Sequence, residues 1–244
     1  MKLYGLIGKP LSHSFSHRWF NEKFNREGLI DHRYELFPID APEKLADLLE
    51  QHPDLAGLNV TIPYKKTVMP LLDEIDPLAA AVGAVNTIAI CSDRTIGHNT
   101  DVIGFRSTLA PLLDGERPRA LVLGSGGASR AVVYVLKELG IRFRVVSRSR
   151  ERGDLTWDLL DPTVIKVCPL IINTTPLGMS PAVHERPGLP YDAIGHKHTL
   201  IDLVYNPEET VFLRNGRERG ARTMNGLHML QAQAEASWKI WNPA

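Results

Sequence analysis

At the middle of the chain a glycine turn joins an apolar run to an amphipathic helix, and no other feature constrains the fold as strongly. The run is Ala120-Leu121-Val122-Leu123, and the turn is Gly124-Ser125-Gly126-Gly127-Ala128-Ser129. In the helix that follows, Ala131, Val132, Val135, Leu136 and Leu139 share one face, and Gly140 stops it. Gly124-x-Gly126-x-x-Ser129 therefore stands where a dinucleotide fingerprint has to stand, between a strand and a helix. The first glycine permits the tight turn, and the second lets the backbone approach a pyrophosphate. A small third residue lets helix and strand pack, and the helix N-terminus supplies N–H donors and a positive dipole. Ser129 meets the size requirement less fully than glycine does. The competing reading is a glycine-rich turn that holds no ligand.

The next strand, Phe143 to Val146, ends in Ser147-Arg148-Ser149. An NAD site usually places Asp or Glu there to bind the ribose hydroxyls. A carboxylate would repel a 2′-phosphate, whereas Arg148, helped by Arg150 or Arg152, can clamp one through charge-assisted bonds. The pattern favours NADP over NAD; the alternative is a solvated basic turn. Strands at Leu170 to Asn173 and Leu200 to Val204 complete this βα domain. The stretch between Arg152 and Leu170 is too short for a helix, loop and strand of ordinary length, so the domain is expected to be trimmed.

The first hundred residues alternate in the same way. Leu3 to Ile7 reads as a strand, with a helix capped by Ser16 running to Glu27 and stopped by Gly28. Tyr34 to Ile39 is a second strand, and Pro42 to His52 a second helix with Leu45, Leu48 and Leu49 on one face. Leu58 to Val60 and Val85 to Ile90 are further strands of an α/β domain with a mixed sheet, and Asn99-Thr100-Asp101 precedes a helix from Val102 to Leu113. A polar break follows at 114–118, and a last helix runs from Gly226 to Trp241. The expected division is 1–104, then 105–225, with 226–244 returning to the first domain.

Composition excludes several classes of function. The chain has 244 residues with 28 Lys+Arg against 28 Asp+Glu, so it has no global field for nucleic acid or an anionic membrane. The two cysteines, Cys91 and Cys168, form no CxxC pair, which supports neither a disulfide framework nor a zinc site and suits a reducing compartment. No run approaches the ~20 apolar residues of a membrane span, and the expectation is a soluble, cytoplasmic protein. His13 and His17 have helical ligand spacing, but no Glu follows the first as in HExxH, so no metal is expected.

Polar groups collect at the strand ends of the first half. Ser14 and Ser16 follow the first strand; either they hold a carboxylate or they simply cap the helix. Then come Asn59-Val60-Thr61-Ile62-Pro63-Tyr64-Lys65, Gly83-Ala84-Val85-Asn86-Thr87 and Asn99-Thr100-Asp101-x-x-Gly104. Strand ends are where α/β sheets bind ligands, so these groups are expected to converge on one cleft. With these blocks in order, followed by Gly124 to Arg130, Asn173-Thr174-Thr175-Pro176-x-Gly178-Met179, Asp202-Leu203-Val204-Tyr205-Asn206-Pro207 and Gly226-x-x-Met229-Leu230-x-x-Gln233, the chain resembles shikimate dehydrogenases over nearly its whole length.

The resemblance implies a substrate domain and a Rossmann-like NADP domain with the cleft between them. It also implies NADPH-dependent, reversible reduction of 3-dehydroshikimate to shikimate in aromatic amino-acid biosynthesis. Lys65 and Asp101 would be the catalytic pair. Ser14 and Ser16 would bind the substrate carboxylate, with Thr61, Asn86, Tyr205 and Gln233 around the substrate. The cofactor would meet Gly124, Ser125, Gly126, Gly127, Ala128, Ser147, Arg148, Arg152, Thr174 and Gly226. Hydride delivery builds negative charge on a ketone oxygen, which an ammonium stabilises; a lysine is a ready acid at neutral pH but a poor base for the reverse step unless its site adjusts it. Two positions depart from the family pattern, Ser147 where Asn is usual and His228 where Gly is usual, both on the cofactor side. A quinate/shikimate dehydrogenase and a non-catalytic ligand-binding relative stay open as alternatives, as do a monomer and a homodimer.

Overall fold

Leu3, Tyr4, Leu6 and Ile7 are all buried, so the strand they form, β1 (Lys2–Gly8), is covered on both faces. The structure, a computed structural model, describes residues 1–11, 14–91 and 94–243. The chain divides into two units, 1–101 with 233–244 and 102–232.

In the first unit β1 is followed by α1 (Phe15–Arg26), β2 (His32–Pro38), α2 (Leu45–Gln51) and β3 (Leu55–Val60). Next come β4 (Glu74–Ile75), α3 (Pro77–Val82), β5 (Thr87–Cys91) and β6 (Arg94–His98). The sheet order is β2-β1-β3-β5-β6-β4. Strands β1, β2 and β3 are parallel, whereas β5 is antiparallel to both β3 and β6, so the sheet is mixed as expected. Hydrophobic periodicity gave no sign of β6: it buries only Thr95 and Gly97, neither of them an apolar marker. Ser14, not Ser16, occupies the N-cap of α1, and its side chain makes no cap hydrogen bond, so simple capping does not account for it. Ser12 and His13 lie outside the described residues.

At the start of the second unit lies α4 (Asp101–Leu113), then β7 (Ala120–Leu123), α5 (Gly127–Glu138) and β8 (Phe143–Ser147). They are followed by β9 (Leu155–Thr156), α6 (Pro162–Val167), β10 (Leu170–Asn173), β11 (Thr199–Asp202), α7 (Val211–Glu218) and β12 (Arg222–Met224). The order β12-β11-β10-β7-β8-β9 is parallel throughout and Rossmann-like, with the direction of winding reversing between β7 and β10. The stretch before β10 is short as expected: β9 has two residues and α6 six.

The last helix, α8 (Leu227–Trp241), contributes its residues from 233 onward to the first unit. Trp241 ends it, stacked on Tyr4 at 5.0 Å between ring centroids, with its Nε1 donating to the Ile88 carbonyl at 2.9 Å. The indole lies so close to Gly57 that a Cβ there would come within 2.3 Å of Nε1. With Phe20, Phe24 and Tyr34 it fills one face of the sheet, while Leu45, Leu58 and Val68 fill the other. Trp241→Ala is expected to lower stability by about 3–5 kcal/mol, as large-to-small changes in well-packed cores do; urea unfolding followed by circular dichroism checks it.

Candidate active site

Lys65 is fixed by its turn rather than by a helix. Thr61 at the end of β3 donates its N–H to the Ile7 carbonyl at 3.0 Å, Tyr64 donates its hydroxyl to the Ile39 carbonyl at 2.8 Å, and the Val85 N–H donates to the Lys65 carbonyl at 2.7 Å. From that frame Lys65 Nζ donates to Asp101 Oδ2 at 2.6 Å, the two side chains being 15% and 7% exposed. Water screens such a pair weakly, so the geometry holds the ammonium firmly.

Asp101 is held in turn by Asn86, whose Nδ2 donates to Asp101 Oδ1 at 2.9 Å and whose Oδ1 accepts the Thr100 N–H at 2.7 Å. Gln233 Oε1 lies 3.2 Å from the same Nδ2. Behind Asn86 a buried polar chain continues. Thr87 Oγ1 donates to Asn86 Oδ1 at 3.2 Å, Asn59 Nδ2 donates to Thr87 Oγ1 at 3.2 Å, and the Tyr34 hydroxyl donates to Asn59 Oδ1 at 2.8 Å. Burial pushes the Tyr34 phenol well above its ordinary value, so it stays a neutral donor; a hydrogen bond from buried Ser16 opposes that shift. The expected residues Ser16, Lys65, Asn86, Asp101 and Gln233 are thus joined in one network. Thr61 is half-buried at the end of β3 and Ser14 half-buried at the start of α1, while Tyr205 belongs to the other unit, after β11. Asn59, Thr87 and Ser237 were missed as network members. Ser237 Oγ lies 2.8 Å from Thr87 Oγ1 and accepts Asn59 Nδ2 at 3.0 Å, yet it sits in a helix with no local motif to mark it.

In the second unit the glycine loop follows β7 at the reversal point. Gly124 has φ 107°, and a Cβ there would come within 2.8 Å of Thr174 Oγ1, so both conformation and space require glycine. At Gly126, the N-cap of α5, a Cβ would meet nothing within 4 Å, and α5 has no acidic residue in its first turn. Those features suit an approaching pyrophosphate. Thr174 donates its hydroxyl to the Leu123 carbonyl at 2.7 Å and so ties β10 to the loop. Ser147 is buried, its hydroxyl donating to the Ser149 carbonyl. Arg148 and Arg152 are exposed, and among the described residues neither is ion-paired to a carboxylate. Gly226 sits so close to Leu203 that a Cβ would fall 2.1 Å from its carbonyl oxygen. His228 Nδ1 is 3.1 Å from Thr108 Oγ1, whose own proton goes to the Gly104 carbonyl. The described residues hold no group of His, Cys, Asp and Glu that would bind a metal, and no helix is long and apolar enough to cross a membrane.

A family model described as the shikimate dehydrogenase substrate binding domain matches residues 6–88. A shikimate dehydrogenase (NADP(+)) of Halothermothrix orenii is 37% identical, the match covering 98% of this chain and 90% of that one. The chain belongs to the shikimate dehydrogenase family. A crystal structure of shikimate 5-dehydrogenase from Thermus thermophilus in complex with NADP(H) and shikimate superposes with a TM-score of 0.88 at 30% identity, covering 100% of this chain and 94% of that one. A quinate dehydrogenase from Corynebacterium glutamicum in complex with NAD gives the same TM-score at 28% identity, with the same coverage.

One charged group of this family member lies outside the expected set. Asp202 at the end of β11 is fully buried and accepts from Asn173 Nδ2 at 2.9 Å, the Val204 N–H at 3.0 Å and the Thr210 hydroxyl at 2.6 Å. Burial pushes its carboxyl up to about 6, with those three bonds opposing. The folded state therefore keeps a proton that the unfolded chain releases, and this group's contribution to stability falls as pH rises from about 4 to about 6. Asp202→Asn removes that titration. Its stability relative to the parent is expected to improve by up to about 3 kcal/mol between pH 4 and pH 7, measured by urea unfolding at both ends. A pH-independent difference would contradict the raised value.

Proposed function

We propose that the protein catalyses the NADPH-dependent, reversible reduction of 3-dehydroshikimate to shikimate, the first unit binding the substrate and the second the cofactor. The observation that carries the reading is the Lys65–Asp101 pair, 2.6 Å apart and largely withdrawn from water beside the buried amides of Asn86 and Gln233. A non-catalytic relative has no use for so closely held an ammonium. The reading places the protein in the cytoplasm, as a monomer or homodimer.

NADPH, when bound, supplies the hydride. Gly124, Ser125, Gly126, Gly127 and Ala128 would hold its pyrophosphate, with Thr174 and Gly226 keeping the neighbouring backbone close. Arg148 and Arg152 would grip the 2′-phosphate, and Ser147 shapes the turn that presents them. In the substrate unit the Lys65 ammonium faces the charge that builds on the ketone oxygen and delivers its proton there; in the reverse direction its amine takes the proton back. Asp101 fixes the ammonium and accepts from a ring hydroxyl, and Asn86 orients Asp101. Ser14 and Ser16 bind the substrate carboxylate; the hydroxyl of Ser14 is not used in capping, and that of Ser16 would exchange its bond to Tyr34 for one to the carboxylate. Thr61 and Gln233 complete the hydroxyl contacts in the first unit.

An assay of shikimate and quinate against NADP and NAD tests the reading. Shikimate with NADP is expected to give the fastest oxidation, and NAD little rate. The likeness to a quinate dehydrogenase keeps one rival specific: comparable rates on quinate would make the protein a quinate/shikimate dehydrogenase, and no rate on either would overturn the proposal. Lys65→Ala is expected to lower kcat by about 10²–10⁴ with a modest change in KM. Arg148→Ala is expected to raise KM for NADP by about ten- to a hundredfold and leave KM for NAD nearly unchanged, as loss of one charged hydrogen bond does; steady-state kinetics with both cofactors measures it.

A further inference from the structure

At the end of the second sheet opposite the glycine loop lies a cavity of about 610 Å³, lined by Arg119, Arg142, Arg144, Phe143, Val164 and Cys168 among others. The volume is that of a small-molecule site. Its position follows from the strands: Arg119 immediately precedes β7, and Arg142 immediately precedes β8, whereas Gly124 follows the far end of β7. The cavity is therefore separate from the candidate cofactor site.

Its charge is unusual for a surface hollow. The parallel register sets Ala120 beside Phe143 and Leu121 beside Arg144, so one residue earlier Arg119 stands beside Arg142. The Ala120 N–H donates to the Arg142 carbonyl at 2.8 Å, which confirms the pairing. Neighbouring strands are about 4.8 Å apart, and like charges placed side by side on one face destabilise a sheet. Arg144, two residues beyond Arg142, points to that same face. Arg144 has Asp154 at 3.5 Å, with both side chains exposed; among the described residues Arg119 and Arg142 pair with no carboxylate. Burial raises the Cys168 thiol, and Arg119 and Arg144 oppose that shift, which puts both guanidinium groups within electrostatic reach of the cavity wall. Leu155, Val164 and Val167 make the rest of the lining apolar.

We propose that this cavity binds a small organic dianion, its carboxylate or phosphate groups held by Arg119, Arg142 and Arg144 and its apolar body laid against Leu155 and Val164. Guanidinium forks match such groups bidentately, and an apolar wall favours a ring over a bare ion.

Isophthalate and inorganic phosphate are the probes, titrated by calorimetry into the full chain and into Arg119→Ser/Arg142→Ser. Isophthalate is expected to bind saturably at one site, at least tenfold more tightly than phosphate and at least tenfold more weakly to the double variant. The two arginines are exposed and their juxtaposition destabilises the sheet, so the variant should keep or exceed the parent unfolding midpoint. The two cysteines supply a second readout, because Cys168 lines the cavity and Cys91 is exposed elsewhere. Isophthalate should slow alkylation of Cys168, followed by mass spectrometry, and leave Cys91 unchanged; where Cys168 reacts too slowly, calorimetry decides. No saturable binding, equal affinity in the double variant, equal affinity for phosphate, or displacement of isophthalate by NADP would each overturn the proposal.

Discussion

An ammonium and a carboxylate 2.6 Å apart, both mostly removed from water, cannot be held by attraction alone. Taking the two charges out of water costs several kcal/mol for each, and the pair offsets that only when every remaining lone pair and proton is satisfied. In the first unit this requirement organises the surrounding structure. Asn86 bridges Asp101 to the Thr100 backbone, Thr87 and Gln233 bracket Asn86, and Asn59 links them to Tyr34 and so to Ser16. A continuous polar seam thus runs through an otherwise apolar interior, and each member has a partner that would be stranded by its loss.

The second unit solves a different problem with backbone rather than with side chains. Gly124 and Gly226 sit where any Cβ would collide, one with Thr174 and the other with the Leu203 carbonyl. The charged groups there divide by burial. Asp202 is enclosed and pins the ends of β10 and β11 together through Asn173 and Thr210, whereas Arg148 and Arg152 stand exposed with no carboxylate in ion-pair reach among the described residues. A buried carboxylate serves architecture; exposed cations without a carboxylate partner are the groups left open to an anion.

Much of this was legible in the residues. Strands such as β1 and β7 are nearly unbroken apolar runs, and the turn chemistry of Gly124 to Ser129 has few other uses, so the parallel second sheet and the place of its loop could be read directly. Lys65 and Asp101 were marked by the motifs around them. What stayed hidden is long-range. β6 buries a threonine and a glycine, α7 turns only Phe212, Leu213 and Gly216 inward, and Ser237 joins the polar seam from more than a hundred residues away. The capping role expected of Ser16 shifted to the position of Ser14 because α1 begins two residues earlier, which turned the Ser16 hydroxyl inward to Tyr34.

The first unit takes its closing pieces from the far end of the chain: Gln233, Ser237 and Trp241 come after the whole of 102–232. The second unit is one uninterrupted stretch, whereas the first is split and takes the indole over Gly57 from its second piece. The first half is therefore complete only once residues 233–244, encoded after the whole of the second, have joined it, and the partners that Gln233 and Ser237 supply are the last to reach the Lys65–Asp101 locus.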